Sequence, residues 1–466
     1  MHGPNSRLLV SHLEKTELAV EHTPHKGIIC DMFARIAKTR LQTCRLPQAF
    51  RTFATKPTPT LTDFGFIKTT ESFFFCDGGY HPIVIGHRLG DRYRVVHKLG
   101  FGFYSTTWLA RDNQHSKYVA VKVGTADSDG KEVEVLTRLT DPAAGNQGPG
   151  KSMILPVLDH YTVSGVNGTH PCLVTVPTRC SLFHAREASR SSLFPLDVAR
   201  SLAAQLVMAV AYIHNQGYVH GDVHLGNILL RSPSKFNHCS DEELYEEFGA
   251  PSPEVIWYSE PNPSFPSHVY PSMWLGKASD ELTLPEAKLI LSDFAIAFCP
   301  SKELRFESYA PLKVRPPEDR FESQKPLSFA SDIWSLGCTI WEILGKGQLF
   351  DAWLFTEDDA TADQIDLLGP LPSEWWEKWD ANRQLSVQRE SRSWHQRFED
   401  HIQQPRRLKS MEMLDGKERD ALFEMIRSML LFRPEDRASA RDVLDSSWMR
   451  NWAIPAFEKG MKEGDS

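Results

Sequence analysis

Two residues in the run VHGDVHLGNILL, 219–230, have the types and spacing of phosphoryl-transfer chemistry. Asp222 is a carboxylate able to accept a hydroxyl proton, and five positions on, Asn227 offers an amide oxygen to a hard cation. Further along, LILSDFAIAF sets Asp293 at the end of an apolar strand, a second oxygen ligand for Mg2+ bridging phosphates. Upstream, LGFGFYSTTWLA carries Gly100 and Gly102, which let a β-turn backbone approach phosphate oxygens, with Ser105 where a third glycine would stand. VAVKV then places Lys122 in an otherwise apolar strand, where a buried ammonium needs anionic partners: phosphate and a carboxylate. Glu132 in the next helical stretch is the expected carboxylate, with Glu134 as the alternative. Singly, each residue has a plain structural reading: a hairpin glycine, a lysine snorkelling from a strand, an aspartate capping a turn. Their order along the chain is what makes them one site.

The elements that must hold these residues are legible from hydrophobic periodicity. From residue 91, DRYRVVHKLGFGFYSTTWLARD alternates apolar and polar positions about a glycine turn, KYVAVKV follows as a third strand, and DGKEVEVLTRLT has helical spacing. MILPVLDHYTV and PCLVTVP read as further strands. From Leu196 the pattern changes to long apolar-striped helices, DVARSLAAQLVMAVAYIHNQG and SDIWSLGCTIWEILG. The expected fold is α+β and two-lobed, a small β-rich lobe over 93–177 and a larger helical lobe over 178–452, the boundary falling near 176–180. Residues 231–286, rich in Pro, Ser and acids, read as a surface insertion between two catalytic elements. A lead-in segment at 63–92 and a C-terminal tail at 453–466 flank the domain.

A net charge of −8 argues against nonspecific nucleic-acid binding and suits an acidic surface that recruits basic peptides. No run approaches the roughly 20 apolar residues that span a bilayer. The eight cysteines are scattered, with no C-x-x-C pair, and read as reduced, mostly buried thiols. The expectation is a monomer that contacts neither membrane nor nucleic acid. Between Met32 and Thr62 there are six Arg or Lys and no acid, a transit-peptide composition, whereas Glu14, Glu17, Glu21 and Asp31 precede it. Residues 1–62 are therefore read as a disordered basic tail, giving a cytoplasmic or nuclear protein, or else as a mitochondrial presequence starting at an internal methionine.

RPPEDR, SDIWSLGCTIWEIL and LLFRPEDRASARDVL add Glu318, Asp332 and Arg437, the first and last as a buried ion pair and Asp332 as acceptor for backbone amides of the 219–230 loop. With these in place the chain resembles the eukaryotic protein kinases over roughly 93–452, and the SR-protein kinases in particular. The run GGYHPIVIGHRLGDRYRVVHKLGFGFYSTTWLARD is similar to that subfamily's start, DEELYEEFG to its spacer, and LFDAWLFTEDDATADQIDLLG to a later insertion. The resemblance implies ATP and Mg2+ as cofactors and phosphorylation of serine in basic, Arg/Ser-rich proteins. It assigns Lys122 to the phosphates, Glu132 to Lys122, Asp222 as base, and Asn227 and Asp293 to metal. Leu99, Gly100, Gly102, Ser105, Ala120, Val176 and Thr178 join Lys122 in holding the nucleotide. Two departures stand out: Ala295 replaces the glycine of the usual DFG, and His224 replaces a lysine near the transferring phosphoryl group. Lysine keeps a full charge there and histidine a fraction, though it can still donate a hydrogen bond. HGDVHLGN is also similar to the loop of aminoglycoside and choline phosphotransferases, which lack the Glu318, Asp332 and Arg437 trio. An active protein kinase is thus the first reading, a pseudokinase binding module the second, and a small-molecule phosphotransferase the third.

Overall fold

The computed structural model describes residues 75–141, 148–255, 263–350, 356–379 and 391–464. The stretch before residue 63, and with it the choice between tail and transit segment, lies outside the described residues, as does the start of the lead-in segment.

The β-rich lobe is one antiparallel sheet of six strands in the order β1–β2–β3–β4–β6–β5. These are β1 Arg88–Leu89, β2 Tyr93–Gly102, β3 Ser105–Asp112, β4 Lys117–Gly124, β5 Val157–Gly165 and β6 Gly168–Thr175, with helix α1 Lys131–Thr140 between β4 and β5. Strand periodicity does the sorting in β4: Val119, Val121 and Val123 join Tyr93, Val95 and Trp108 in an apolar cluster, so Ala120 and Lys122 take the opposite face. Helix α1 starts after Gly130 without a side-chain cap, and Glu132 and Glu134 in its first turn suit the positive end of the helix dipole. Its Val135, Leu136 and Leu139 are buried in the largest apolar cluster of the molecule.

Past Thr175 the chain enters β7 Thr178–Ser181, which pairs with β8 Ile228–Arg231 in a separate sheet. Between them runs α2 Leu196–Asn215, ended by Gly217 at a left-handed φ of 84°. Against the expectation of no bilayer-length apolar run, α2 is long and apolar enough to cross one; its residues are spent instead on the helical lobe's core. The insertion contributes α3 Asp241–Phe248 and a two-residue ladder, β9 Glu254–Val255 with β10 His268–Val269; β11 Leu289–Leu291 then completes the order β11–β8–β7. Helices α4 Glu318–Phe321, α5 Phe329–Leu344 and α6 Gly416–Met429 follow. The stretch read as a tail contains α7 Ile454–Gly464, packed so closely that a Cβ on Gly460 would stand 3.0 Å from the Leu284 carbonyl oxygen.

The insertion is more than a surface embellishment. Phe236, Leu244, Met273 and Leu275 are buried with Val96, Leu109 and Tyr118 of the β-rich sheet. Asp241 accepts from Arg94 Nη2 at 2.6 Å and from the Tyr118 hydroxyl at 2.7 Å, and Met273 N donates to Lys98 O at 2.8 Å. A segment that leaves the helical lobe after β8 therefore clasps the other lobe. Its composition hid this because few apolar side chains are interspersed among many Pro, Ser and acidic residues. Of the six described cysteines, Cys172, Cys180 and Cys338 are buried and Cys76, Cys239 and Cys299 half-buried.

Candidate active site

Lys122 reaches from β4 to two carboxylates: Glu132 of α1, 2.7 Å from Oε2, and Asp293 Oδ1 at 3.0 Å. Burial alone would lower the Lys122 ammonium, but the charges of Asp293 and Glu132 more than reverse this and hold its pKa above the usual value. The same Lys122 charge keeps Asp293 below the usual carboxylate range. Glu134 points elsewhere, paired with Arg138 at 2.9 Å on the exposed side of α1. Asp293 sits at φ 63°, a left-handed conformation that aspartate tolerates better than most residues and that often marks a functional position. Ala295 needs no such conformation, its φ being negative, so in this arrangement the missing glycine costs nothing.

The 219–230 loop is held from beneath. Asp332, at the start of α5 and 1% exposed, accepts from His220 N at 2.7 Å, Gly221 N at 2.8 Å and His214 Nε2 at 2.9 Å. Burial opposes its charge, but these partners, His214 foremost, keep its pKa below the usual range. His220 is a second anchor that sequence reasoning did not single out. Its Nδ1 accepts from Asp222 N at 3.2 Å, its Nε2 lies 3.1 Å from Ser292 O, and its ring abuts Phe294 at 4.7 Å. It stands inside the quoted loop, so its position was visible and its partners were not.

Asn227 donates its amide N–H to Asp222 O at 3.0 Å and to Asp222 Oδ2 at 2.8 Å, which orients the carboxylate and leaves the Asn227 amide oxygen for other use. Asp222 Oδ1 is buried with no hydrogen-bond partner, an arrangement that is costly unless a substrate donor fills it. His224 Nδ1 accepts the Gly226 N–H at 3.0 Å, which leaves Nε2, 3.4 Å from Asp222 Oδ1, as the ring nitrogen placed to donate. The ring covers Gly226 so tightly that a Cβ there would come 2.7 Å from His224 Cε1.

Gly100 and Gly102 lie on β2, opposite Thr107 and Ser105 of β3. A Cβ on either would meet nothing within 4 Å, so the space above them is open, as a phosphate-covering turn requires. Leu99 is partly buried against the cluster that joins β2 to the insertion, Ala120 is buried on the Lys122 face of β4, and Val176 and Thr178 occupy the passage between lobes. Open space over the glycines, a lysine for phosphate, and oxygens of Asn227 and Asp293 for a hard cation fit a nucleotide with its metal. Below the site, Arg437 makes a bidentate pair with Glu318 of α4, at 2.8 and 2.6 Å.

The protein kinase domain family model matches residues 93–241. A serine/threonine protein kinase of Aspergillus fumigatus is 27% identical to this chain over 427 residues, covering 87% of the chain and 98% of that protein. The SRSF protein kinase 3 of Homo sapiens is 31% identical over 187 residues, 38% of this chain and 33% of that protein. The serine/threonine-protein kinase spk-1 of Caenorhabditis elegans is 33% identical over 157 residues, 33% of this chain and 16% of that protein.

Proposed function

We propose, on the premise that the chain belongs to the protein kinase family as a serine/threonine kinase, that it uses ATP and Mg2+ to phosphorylate serine in basic, Arg/Ser-rich proteins. The observation that carries this reading is the Asp222 carboxylate: one oxygen is fixed by Asn227 and the other is buried without a hydrogen-bond partner, His224 Nε2 lying 3.4 Å away, next to a closed Lys122–Glu132 pair. Asp222 Oδ1 orients the serine hydroxyl and takes its proton. Lys122 would hold phosphate, while the oxygens of Asn227 and Asp293 would hold the metal. Bound magnesium would neutralise charge on the phosphates. The likeness to SRSF protein kinase 3 supports the substrate class.

Basal activity without an upstream kinase belongs to the same proposal. No arginine precedes Asp222, since Gly221 stands there. In the segment between Asp293 and Glu318, Glu303 accepts from Lys131 at the head of α1 and, at 2.9 Å, from Arg305. A fixed carboxylate thus already ties that segment to the helix that carries Glu132. The test is protein made in bacteria, given Mg-ATP and an Arg/Ser peptide. Serine phosphorylation is expected with Ser308 and Tyr309 unmodified, and chelation of Mg2+ should abolish it. Binding of Mg-ATP without transfer to any protein would make it a binding module; transfer to choline or an aminoglycoside alone would make it a small-molecule phosphotransferase. An enzyme inert until Ser308 or Tyr309 is phosphorylated would refute the basal activity.

The Gly226 N–H on Nδ1 supports His224 as a hydrogen-bond donor to the phosphoryl group through Nε2 rather than as a cation. Turnover between about pH 6 and 9 should then show no alkaline limb from this residue. His224→Lys should bring little gain at about pH 8, and His224→Ala should lose about tenfold at every pH. A wild-type rate that declines with pH, and that His224→Lys flattens, would mean a cation instead.

A further inference from the structure

The run GGYHP, 78–82, has no part in the chemistry above, yet it grips the turn that carries the glycines. Gly78 O accepts from Asp127 N and Gly79 O from Ala126 N, both at 3.1 Å, and Gly78 N donates to Asn167 O at 2.9 Å. These bonds lay the segment along residues 125–127, just past β4. Tyr80 is 1% exposed, with its ring edge-on to Phe75 at 5.6 Å and its carbonyl held by Asn167 Nδ2 at 2.7 Å. Its hydroxyl donates to the carbonyl of Gly102. Burial pushes that phenol above its usual pKa, so it stays a donor. On the other side of the turn, Thr125 N donates to Tyr104 O at 2.8 Å. Residues 102 and 104 are therefore both tethered, one by Tyr80 directly and one through the 125–127 stretch that GGYHP holds.

The peptide joining Gly102 to Phe103 is trans, so fixing its carbonyl on Tyr80 fixes the orientation of that whole peptide unit within the turn. A turn whose backbone is fixed in advance loses less freedom when an anion arrives. We propose that Tyr80 is a positioning residue for nucleotide phosphate: the lead-in segment straps the glycine turn in place before ATP binds, so that part of the affinity for the triphosphate resides in GGYHP. The proposal rests on the kinase reading of the site.

The test is Tyr80→Phe in the full chain, which keeps the ring and removes the hydroxyl. Affinity for Mg-ATP should weaken about fivefold, while affinity for adenosine, which has no phosphate, stays within about twofold of wild type. Hydrogen exchange at residues 100–106 should rise in the free protein and return to the wild-type level at saturating Mg-ATP. Equal losses for ATP and adenosine, or unchanged ATP affinity, would overturn the strap. Should the wild type bind no ATP, the kinase reading fails on its own, and exchange at 100–106 still decides the matter: no increase in Tyr80→Phe overturns the tether. Asn167→Ala, which frees the carbonyl end of Tyr80, should show the same split and serves if Tyr80→Phe does not fold.

Discussion

Asp222→Asn is expected to lower turnover by about 10²- to 10⁴-fold while leaving Mg-ATP affinity within a few fold. The reasoning follows the two carboxylate oxygens. Oδ2 accepts from Asn227 Nδ2 at 2.8 Å, and Oδ1 has no hydrogen-bond partner. An asparagine at 222 must turn its own oxygen toward Asn227 to avoid setting two NH2 groups face to face. Its NH2 then lies where the serine hydroxyl needs an acceptor, so the proton has nowhere to go. Lys122, assigned to the phosphates, is bonded to Glu132 and to Asp293 rather than to Asp222. Lys122→Met should contrast, weakening both ATP affinity and turnover, because it removes the phosphate ligand and leaves Glu132 and Asp293 with an uncompensated repulsion. Steady-state kinetics on an Arg/Ser peptide, together with calorimetric titration of Mg-ATP, separate the two patterns. Unchanged turnover in both variants would mean that the site is wrongly assigned.

Arg437→Met should destabilise the domain by about 3–5 kcal/mol, measured by urea unfolding. The Arg437 side chain is 0% exposed. All five of its N–H donors are used: two on Glu318, and one each on the carbonyls of Leu431, Ala330 and Phe432. Its guanidinium also lies over the Trp334 ring, 5.0 Å from the centroid. Methionine fills much of the volume but strands a buried carboxylate and three carbonyls. Most of the loss should come from that carboxylate, so adding Glu318→Leu to Arg437→Met should recover stability relative to the single variant. A single variant within about 1 kcal/mol of wild type, or a double variant less stable than the single, would show that the pair is not the support described here. Since Glu318 opens α4 at the end of the segment that begins with Asp293, weaker peptide binding should accompany the lost stability.

The candidate site was legible in the sequence because its parts are local. A glycine pair in a hairpin, a lysine in an apolar strand, an aspartate five residues before an asparagine and an aspartate ending a strand each declare themselves through residue type and short spacing. Strand and helix periods likewise separated a β-rich half from a helical one, since each period reports which side of an element is apolar. Periodicity does not say what that side meets. The contacts that tertiary structure alone decided join distant residues: Tyr118 with Asp241, Tyr80 with Gly102, Lys131 with Glu303, His214 with Asp332. Other outcomes depended on backbone geometry that no residue type announces. Ala295 lies at a negative φ that needs no glycine, and His224 is oriented by the Gly226 amide that points at its Nδ1. The insertion shows the same divide. Its Pro, Ser and acidic residues dominated the composition, while burial of Phe236, Leu244, Met273 and Leu275 on the facing sheet turned an apparent spacer into a clasp. Hydrophobic burial is counted by area and can be supplied by a few large side chains, which average composition over such a stretch conceals.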